Sequence, residues 1–352
     1  MAASRKVPVG VLGASGAVGQ RFIQLLERHP WFEVAEVAAS DRSAGRPYRE
    51  ACAWRLPGGA PVSVGGLAVA TCVGPFRSRL LFSGLDSSVA GEVESALAAK
   101  GHAIVSNARN HRMGLDVPLL IPEVNPNHLE ALAVQRRRTG GGYIVTNPNC
   151  SVVGLALALA PLHTAFGIEA AATVTLQAFS GAGYPGVASM DIADNVIPFI
   201  GGGEEEKIES EPQKILGRFM EGAFAPADFP VSASVHRVDV SDGHTMALFV
   251  RLKKKATAAE AARVLAEFRG EPQERRLPSA PERPIHVLPE PDRPQPRLDR
   301  DRENGMAVSV GRIREDPLFH LKMEVLVHNT IRGAAGAAIL NAELLHARGL
   351  LP

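Results

Sequence analysis

A cysteine at the start of a predicted apolar helix is the residue of this sequence best suited to covalent chemistry. Cys150 follows Asn149 in TNPNCSV, and the apolar run SVVGLALALAPL comes directly after it. Asparagine is a favoured N-cap residue, so the pattern predicts a helix that begins at this cysteine. The N–H groups and the dipole of a helix start lower the pKa of a thiol from about 8.5. Cys150 is therefore a candidate nucleophile, and a buried core thiol is the alternative.

A nucleophilic cysteine needs a base, and His244 is the candidate. It follows a glycine in VSDGHTMAL, at a turn that enters a predicted strand, where an imidazole can project into a cleft. Gln177 and Arg237 lie on predicted strands and would add an amide and a cation. Each of the three also has a purely structural interpretation, as a surface residue or as a hydrogen-bonded polar residue of a sheet. Residue types alone leave both interpretations open.

Three glycines separate the first predicted strand from the helix that follows. Gly13, Gly16 and Gly19 fall in GVLGASGAVGQRF, with the spacing G-x-x-G-x-x-G instead of G-x-G-x-x-G. Glycines let the backbone approach a pyrophosphate, which the N–H groups of the helix start then bind. A tight turn without a ligand is the alternative, but the strand–helix units that follow favour a dinucleotide site.

The end of the second predicted strand bears on the choice of cofactor. The stretch AASDRSAGR offers Ser40, Arg42 and Ser43, which suit the 2′-phosphate of NADP. Asp41 in the same stretch would instead suit the ribose hydroxyls of NAD. A solvated turn is the alternative. The balance of donors favours NADP.

Alternating strands and helices before Cys150 predict a parallel sheet with right-handed crossovers. The predicted strands cover residues 7–13, 32–40, 79–86 and 102–108. We therefore assign residues 1–149 to a Rossmann-type, NADP-binding domain of an α/β protein. The helical end at 329–349 is expected to pack back on this domain, so that residues 330–352 complete it.

Long strands follow Cys150 and predict a second, α+β domain at 150–329 with a mixed or antiparallel sheet. The predicted strands are 171–181, 231–254 and 305–314. Residues 231–254 are interpreted as a pair of strands joined at SDGHT, and 257–270 as an amphipathic helix. The segment 271–304, rich in Pro, Arg and Asp, predicts a long surface loop or arm.

Composition excludes several classes of protein. The chain has 352 residues, with 38 Lys and Arg against 37 Asp and Glu, so its net charge is +1. Such a balance does not favour a nucleic-acid or membrane-surface partner. No apolar run approaches the roughly 20 residues of a membrane span, and the start lacks the apolar core of a secretion signal. Three widely spaced cysteines (Cys52, Cys72 and Cys150) predict neither a disulfide framework nor a metal site, and a cytoplasmic location is expected.

Several long motifs together resemble one family, the aspartate-β-semialdehyde dehydrogenases, over nearly the whole chain. The motifs are GASGAVGQRF, ASDRSAG, SNARNHRM, TNPNCSV, LQAFSGAGYPG, GGGEEEKIESEPQKILG, HRVDVSDGHT and HNTIRGAAGAAILNAE. The GEEEKIE stretch and the compact chain are most similar to the branch typified by archaeal and fungal enzymes.

The resemblance implies a role for each of the candidate residues. Cys150 matches the nucleophile, His244 the general acid and base, and Gln177 the amide that orients the acyl-enzyme. The substrate groups are matched by Arg112, Lys207 and Asn149 for the phosphate, Arg237 for the carboxylate and Glu204 for the amino group. The acidic run leaves open whether Glu204, Glu205 or Glu206 contacts the substrate.

The resemblance also implies NADP as the cofactor. The matching residues are Gly13, Ser15, Gly16, Ala17 and Val18 at the pyrophosphate, Ser40, Arg42 and Ser43 at the 2′-phosphate, and Ser180, Gly181 and Asn329 near the nicotinamide.

The implied activity is a phosphorylating, NADP-dependent interconversion of L-aspartyl-4-phosphate and L-aspartate 4-semialdehyde through a thioester on Cys150. It would serve the biosynthesis of lysine, threonine, methionine and isoleucine, and the protein would be a homodimer or homotetramer. A malonyl-CoA reductase that uses NADPH is one alternative, and a non-catalytic nucleotide-sensing paralogue is another. A sensor would need neither Cys150 nor His244, so their presence together disfavours it.

Overall fold

The computed structural model describes residues 6–352. The first five residues, on which the expectation about a secretion signal partly rests, lie outside the described residues. The strands are β1 (Val7–Leu12), β2 (Phe32–Ala39), β3 (Val69–Thr71), β4 (Leu80–Ser83), β5 (Ala103–Ser106), β6 (Tyr143–Thr146), β7 (Ile168–Ala178), β8 (Val196–Ile197), β9 (Arg218–Met220), β10 (Ala223–Ala225), β11 (Val231–Val238), β12 (His244–Leu252), β13 (Ile285–Leu288), β14 (Val308–Glu315) and β15 (Leu321–Val327). The α-helices are α1 (Ala17–Leu26), α2 (Tyr48–Ala51), α3 (Val62–Gly65), α4 (Ser87–Ala99), α5 (Ala131–Thr139), α6 (Cys150–Phe166), α7 (Ser189–Ile192), α8 (Glu204–Ile215), α9 (Ala258–Glu267), α10 (Glu271–Glu274), α11 (Pro296–Asp299) and α12 (Gly336–Ala347).

The first six strands form one parallel sheet in the order β3-β2-β1-β4-β5-β6. Strands β4, β5 and β6 are buried along their whole length. Their sequences LLFS, AIVS and YIVT are nearly continuous apolar runs, as parallel strands covered on both faces require. The predicted Rossmann-type parallel sheet is confirmed.

The second sheet is mixed and has seven strands in the order β13-β14-β15-β12-β7-β11-β8. This confirms the predicted second α+β unit with a mixed sheet. The two strands predicted within 231–254 are present as β11 and β12, but they do not pair with each other. Strand β7 lies between them, parallel to β11 and antiparallel to β12. The connection 239–243 is long enough to cross two strand spacings of about 4.8 Å each, so it is a crossing loop and not a hairpin turn.

The segment 271–304 is also more regular than a surface loop or arm. It contains α10, β13 and α11, and β13 extends the second sheet by pairing parallel to β14. Ile285 and Leu288 of this four-residue strand are buried. The strand was missed because prolines and charged residues surround so short an apolar run on both sides.

Helix α6 lies at the centre of the molecule and connects its two halves. Every residue from 151 to 162 is buried, so this helix is apolar all round and not amphipathic. It packs against β12 and β15 of the second sheet and against the π-helical segment Ile331–Ala335. The following helix, α12, places Leu340 and Leu344 in the same core as Val9 of β1. The start of α6 is therefore held between the two sheets.

No α-helix within residues 6–352 is long and apolar enough to cross a membrane. Over the same residues, His, Cys, Asp and Glu side chains do not gather in a group of three that could hold a metal ion.

Candidate active site

A cavity of about 640 Å³ lies between the two halves of the molecule, at the start of α6. It contains most of the catalytic and substrate residues named from the sequence. Those that line it are Arg112, Asn149, Cys150, Gln177, Glu204, Lys207 and Arg237, together with Ala17, Val18, Ser180, Gly181 and Asn329 of the predicted cofactor site. His244 lies behind this lining, in contact with Cys150.

Cys150 and His244 are in hydrogen-bond contact, with 3.2 Å between Sγ and Nε2. The N–H of Ala178 donates to His244 Nδ1 at 3.0 Å, which fixes the ring orientation. Because Nδ1 accepts this bond, the neutral ring carries its proton on Nε2 and directs it to the sulfur. The predicted N-cap is also present, since the Asn149 side chain accepts from Ser151 N at 2.9 Å.

The pKa of Cys150 differs in direction from the expectation. Burial raises the pKa of Cys150 to about 12, and the neighbouring charge of Glu204 adds to this effect. Arg112, Lys207 and Arg237 act in the opposite direction. Burial, helped by Arg237, also lowers the pKa of His244 to about 3. The position at a helix start therefore does not by itself set the charge of the thiol, because loss of solvation disfavours the thiolate.

Two neighbouring strands place Gln177 and Arg237 beside the cysteine. The two residues are direct partners in the parallel pair of β7 and β11 and lie on the buried face of the sheet. Arg237 Nη1 donates to Ala178 O at 2.8 Å. A Cβ at Gly181 would lie 2.9 Å from Arg237 Nη1 and 3.1 Å from His244 Cε1, so a larger residue there would displace the guanidinium. This close packing fixes the guanidinium within the cavity.

Helix α8 brings an acid and a cation to the same cavity. Glu204 Oε1 accepts from Asn149 Nδ2 at 2.8 Å and from Gln177 Nε2 at 3.1 Å, while Oε2 pairs with Lys207 Nζ at 2.6 Å. Although burial alone would raise it, the pKa of Glu204 is lowered by Lys207 and these amides. Glu205 bonds to the backbone of β11, and Glu206 is exposed. Among the three acids, the geometry therefore favours Glu204 as the residue that faces the cavity.

Arg112 is held by groups that were not identified from the sequence. Its Nη1 donates to Glu211 Oε1 at 2.9 Å, and its Nη2 donates to Asn107 O at 3.0 Å. Glu211 also accepts from the backbone N–H of Asn149 at 2.6 Å. A usable signal was present, since Glu211 follows Glu204 by seven residues and so lies on the same face of a helix.

Arg109 and Gly333 also line the cavity and were missed. Arg109 Nη1 donates to Gly202 O at 2.7 Å and so ties the SNARN loop to the glycine loop that precedes α8. A Cβ at Gly333 would lie 2.9 Å from the Cβ of Cys150. Such close approaches between distant segments leave no pattern in the sequence that could predict them.

The glycine turn has the geometry of a pyrophosphate site. Gly13 has φ +69°, and a Cβ on it would lie 2.7 Å from Gly84 O. A Cβ on Gly19 would lie 2.2 Å from Gly13 O, so the helix and the turn pack in direct backbone contact. Helix α1 begins at Ala17, and the N–H groups of its first turn have no intrahelical partner. The residues present therefore fit a dinucleotide whose pyrophosphate lies at this helix start.

The remaining cofactor candidates fall into two groups. Ser40, Arg42 and Ser43 lie at a short 3₁₀ turn after β2, outside the cavity lining and open to solvent or partly so. Ser180 and Asn329 meet at the other end, where Asn329 Nδ2 donates to Ser180 Oγ at 2.8 Å. Asn329 Oδ1 also accepts from the N–H of Gly243, directly before His244, at 2.8 Å.

Comparison with known proteins gives consistent matches over both halves. Residues 8–132 match the model of the semialdehyde dehydrogenase NAD binding domain, and residues 159–332 match that of the semialdehyde dehydrogenase dimerisation domain. The aspartate-semialdehyde dehydrogenase of Methanothermobacter thermautotrophicus is 52% identical over 97% of this chain and 99% of its own length. That of Saccharomyces cerevisiae is 47% identical over 99% of this chain and 100% of its own length.

A solved structure shares the fold as well as the sequence. The crystal structure of aspartate semialdehyde dehydrogenase with NADP from Candida albicans has a TM-score of 0.90 and 45% identity, and the match covers 98% of this chain and 100% of that one. The similarity extends over both sheets and the cavity between them, and it includes archaeal and fungal relatives as the motifs indicate. The chain therefore belongs to the aspartate-semialdehyde dehydrogenase family.

Proposed function

We propose that this protein is an NADP-dependent, phosphorylating aspartate-semialdehyde dehydrogenase. It would convert L-aspartyl-4-phosphate to L-aspartate 4-semialdehyde, and back, in the biosynthesis of lysine, threonine, methionine and isoleucine. One observation carries the proposal: Cys150 Sγ lies 3.2 Å from His244 Nε2 in a cavity that Arg112, Lys207 and Arg237 also line. A thiol nucleophile and three cations suit an acyl phosphate that also bears a carboxylate.

The first half of the reaction uses Cys150. Its thiolate attacks the acyl carbon of aspartyl phosphate, the carbon–oxygen bond to phosphate breaks, and inorganic phosphate leaves. Because burial raises the pKa of Cys150, the thiol first loses its proton to solvent, and the Nε2–H of His244 and the three surrounding cations stabilise the thiolate that results. The thioester that results divides one difficult step into two easier ones.

The second half of the reaction reduces this thioester. NADPH, when bound at the glycine turn, supplies the hydride. The Nε2–H of His244 donates a hydrogen bond to the oxygen on the reacting carbon as the hemithioacetal forms, and it stabilises the charge on that oxygen until the thiolate leaves and the aldehyde is released. The backbone N–H groups at the start of α6 are further donors to the same oxygen.

Each charged group of the substrate would be bound by different polar residues of the cavity. Arg237 would hold the α-carboxylate, because its planar fork suits a carboxylate. Arg112, Lys207 and Asn149 would hold the phosphate, Glu204 the amino group, and Gln177 would orient the acyl group. The close packing of Arg237 on Gly181 and the bonds from Asn149 and Gln177 to Glu204 support this division.

The cofactor residues are proposed on the same basis. Gly13, Ser15, Gly16, Ala17 and Val18 would hold the pyrophosphate, and Ser40, Arg42 and Ser43 the 2′-phosphate. Ser180, Gly181 and Asn329 would lie at the nicotinamide, and Ala17, Val18 and these three line one cavity with Cys150. The Candida albicans relative was solved with NADP, which supports this cofactor for the present chain.

The assembly and the domain boundaries are also proposals. We assign residues 1–149 with 330–352 to the cofactor domain and 150–329 to a catalytic and dimerisation domain. Val174 and Leu176 of β7 are exposed on the face of the second sheet opposite its core, which suits a second copy of the chain. A homodimer or a homotetramer would cover this face, and a cytoplasmic location is consistent with a free thiol nucleophile.

A single comparison of substrates tests the activity. Purified protein is given aspartate semialdehyde, inorganic phosphate and NADP in one assay, and malonyl-CoA with NADPH in another, with NADPH absorbance as the readout. We expect NADP reduction that requires phosphate in the first assay. Activity confined to the second assay would assign the protein as a malonyl-CoA reductase. Cofactor binding without activity in either would support the nucleotide-sensing alternative.

A further inference from the structure

Glu211 forms hydrogen bonds to both Arg112 and Asn149, which lie on different segments of the site. Its carboxylate lies on α8 and is 1% exposed. Oε1 accepts from Arg112 Nη1 at 2.9 Å, and Oε2 accepts from Asn149 N at 2.6 Å. Arg112 belongs to the loop after β5, and Asn149 directly precedes the nucleophile. A single buried carboxylate thus bridges a cation of the cavity and the residue before Cys150.

The two acids of α8 hold Asn149 at different atoms. Glu204 and Glu211 are seven residues apart, which is two helical turns, so both lie on one face of α8. Glu204 accepts from the side-chain amide of Asn149, while Glu211 accepts from its backbone N–H. The Asn149 side-chain oxygen then caps α6 at Ser151 N. Because Cys150 is the first residue of α6, this double contact fixes the position of its backbone.

Glu211 also determines which donors of Arg112 are available. Glu211 accepts from one N–H of Nη1, and Asn107 O accepts from one N–H of Nη2. The Nε of Arg112 is buried and has no partner among the described residues, while the side chain as a whole is 9% exposed and lines the cavity. A buried guanidinium N–H without a partner is costly, and an oxygen of a bound anion would satisfy it.

We propose that Glu211 is a positioning residue for the phosphate site. It holds Arg112 in the orientation that binds a phosphate group and keeps Cys150 next to that group through Asn149. The proposal rests on the proposed function, because the phosphate in question is that of aspartyl phosphate or, in the reverse direction, inorganic phosphate.

The variant Glu211→Gln tests this role in the oxidative direction, with aspartate semialdehyde, NADP and inorganic phosphate. Glutamine keeps the volume of the side chain, but it has one acceptor oxygen and no charge, so one of the two hydrogen bonds is lost. We expect the KM for phosphate to rise about tenfold or more, since hydrogen bonds to charged groups are worth that much. The KM for NADP should stay within about twofold, because the glycine turn is untouched.

A second readout does not depend on turnover. Inorganic phosphate should protect Cys150 of the unchanged protein from alkylation by iodoacetamide. In Glu211→Gln, half-protection should require about tenfold more phosphate, the same factor as the KM. A purely structural role would lower the thermal midpoint without changing the phosphate concentration at half-protection.

Glu209→Gln is the matched control. Glu209 lies on the same helix and also accepts a backbone N–H, that of Ala233 at 3.0 Å, but it has no contact with Arg112. This variant should keep the phosphate KM of the unchanged protein. If Glu211→Gln does not fold, Glu211→Asp takes its place: the shorter carboxylate keeps its charge but reaches only one partner, so the phosphate KM should rise again.

Three results would overturn the role of Glu211. They are an unchanged phosphate KM in the folded Glu211 variant, an equal rise in the KM for phosphate and for NADP, and the failure of both Glu211 variants to fold. Each must be seen while the unchanged protein shows phosphate-dependent activity. If the unchanged protein has no such activity, the proposed function is what fails.

Discussion

The two sheets of this protein contribute to the cavity in different ways. The first sheet is parallel, and its strands β4, β5 and β6 are buried on both faces, so they carry few polar side chains into the cavity. Its contributions come from turns and loops at the carboxyl ends of the strands, such as the glycine turn after β1 and the SNARNHR loop after β5. The second sheet contributes from within its strands, since Gln177, Arg237 and His244 all lie on β7, β11 and β12.

The difference follows from how each sheet is covered. Strand β12 alternates strictly between buried and half-buried residues, so one face of the second sheet packs on the core and the other is more open. A polar residue on the core face near the end of such a strand can therefore project into a cavity beside α6. The same sheet also presents Val174 and Leu176 on its outer face. The second sheet can thus both form a catalytic surface and bind a second subunit.

The largest effect is expected where the two regions meet, at Cys150. Replacing it with alanine should reduce phosphate-dependent NADP reduction by about 10⁴-fold or more, since no thioester can form. The thermal midpoint should change little, because a small side chain is replaced at a helix start. Steady-state assays and a thermal melt of the same preparation measure both quantities. Turnover close to that of the unchanged protein would contradict the mechanism.

Replacing a valine with aspartate in each sheet should distinguish an effect on folding from an effect on oligomer assembly. Val105 of β5 is 0% exposed, so Val105→Asp buries a charge and should destabilise the fold by more than about 4 kcal/mol. Val174 of β7 is 37% exposed, so Val174→Asp should leave the fold intact and shift the oligomer toward monomer. Circular dichroism and light scattering distinguish these results. A folded Val105→Asp variant would contradict the burial of the first sheet. An oligomer unaffected by Val174→Asp would contradict an interface on the outer face of the second sheet.

The pH dependence of Cys150 alkylation tests whether burial or the helix start controls the pKa of the thiol. Burial raises the pKa of Cys150 to about 12. The thiolate fraction should then rise tenfold with each pH unit from about 7 to 10, and the rate of reaction with iodoacetamide should rise with it. If the helix start lowered the pKa instead, the rate would level off above pH 8.5. Cys150→Ala provides the background rate from Cys52 and Cys72.

The smallest effect is expected at Arg42, in the turn that follows β2 of the first sheet. Arg42→Ala should reduce the preference for NADP over NAD about tenfold, the cost of one lost charged hydrogen bond. Arg46→Ala is the matched control, because Arg46 is a nearby exposed arginine whose Nη2 bonds to Glu50 O instead. The ratio of kcat/KM for the two cofactors is the measurement. An equal change in both variants would indicate a general effect of charge.

The local sequence pattern was enough to predict helices and strands that have a regular apolar period or a clear helix-capping residue. The helix at Cys150 follows from Asn149 and an apolar run, and the parallel sheet follows from strands that alternate with helices. The strand β13 and the placement of β7 between β11 and β12 could not be found this way. Strand order depends on which edges pair in three dimensions, and a four-residue strand between prolines has no period to detect.

The sequence by itself determined the chemical groups of this protein: a capped cysteine, a histidine after a turn, a glycine turn before a helix, and motifs that resemble one family. The tertiary structure decided which of these groups meet and in what state. It places Cys150 beside His244 from a strand 94 positions later, removes enough solvent from the half-buried thiol that its pKa rises, and gives Arg112 a partner in Glu211. Burial and contacts between distant residues depend on the packing of the whole chain, and a linear pattern does not contain them.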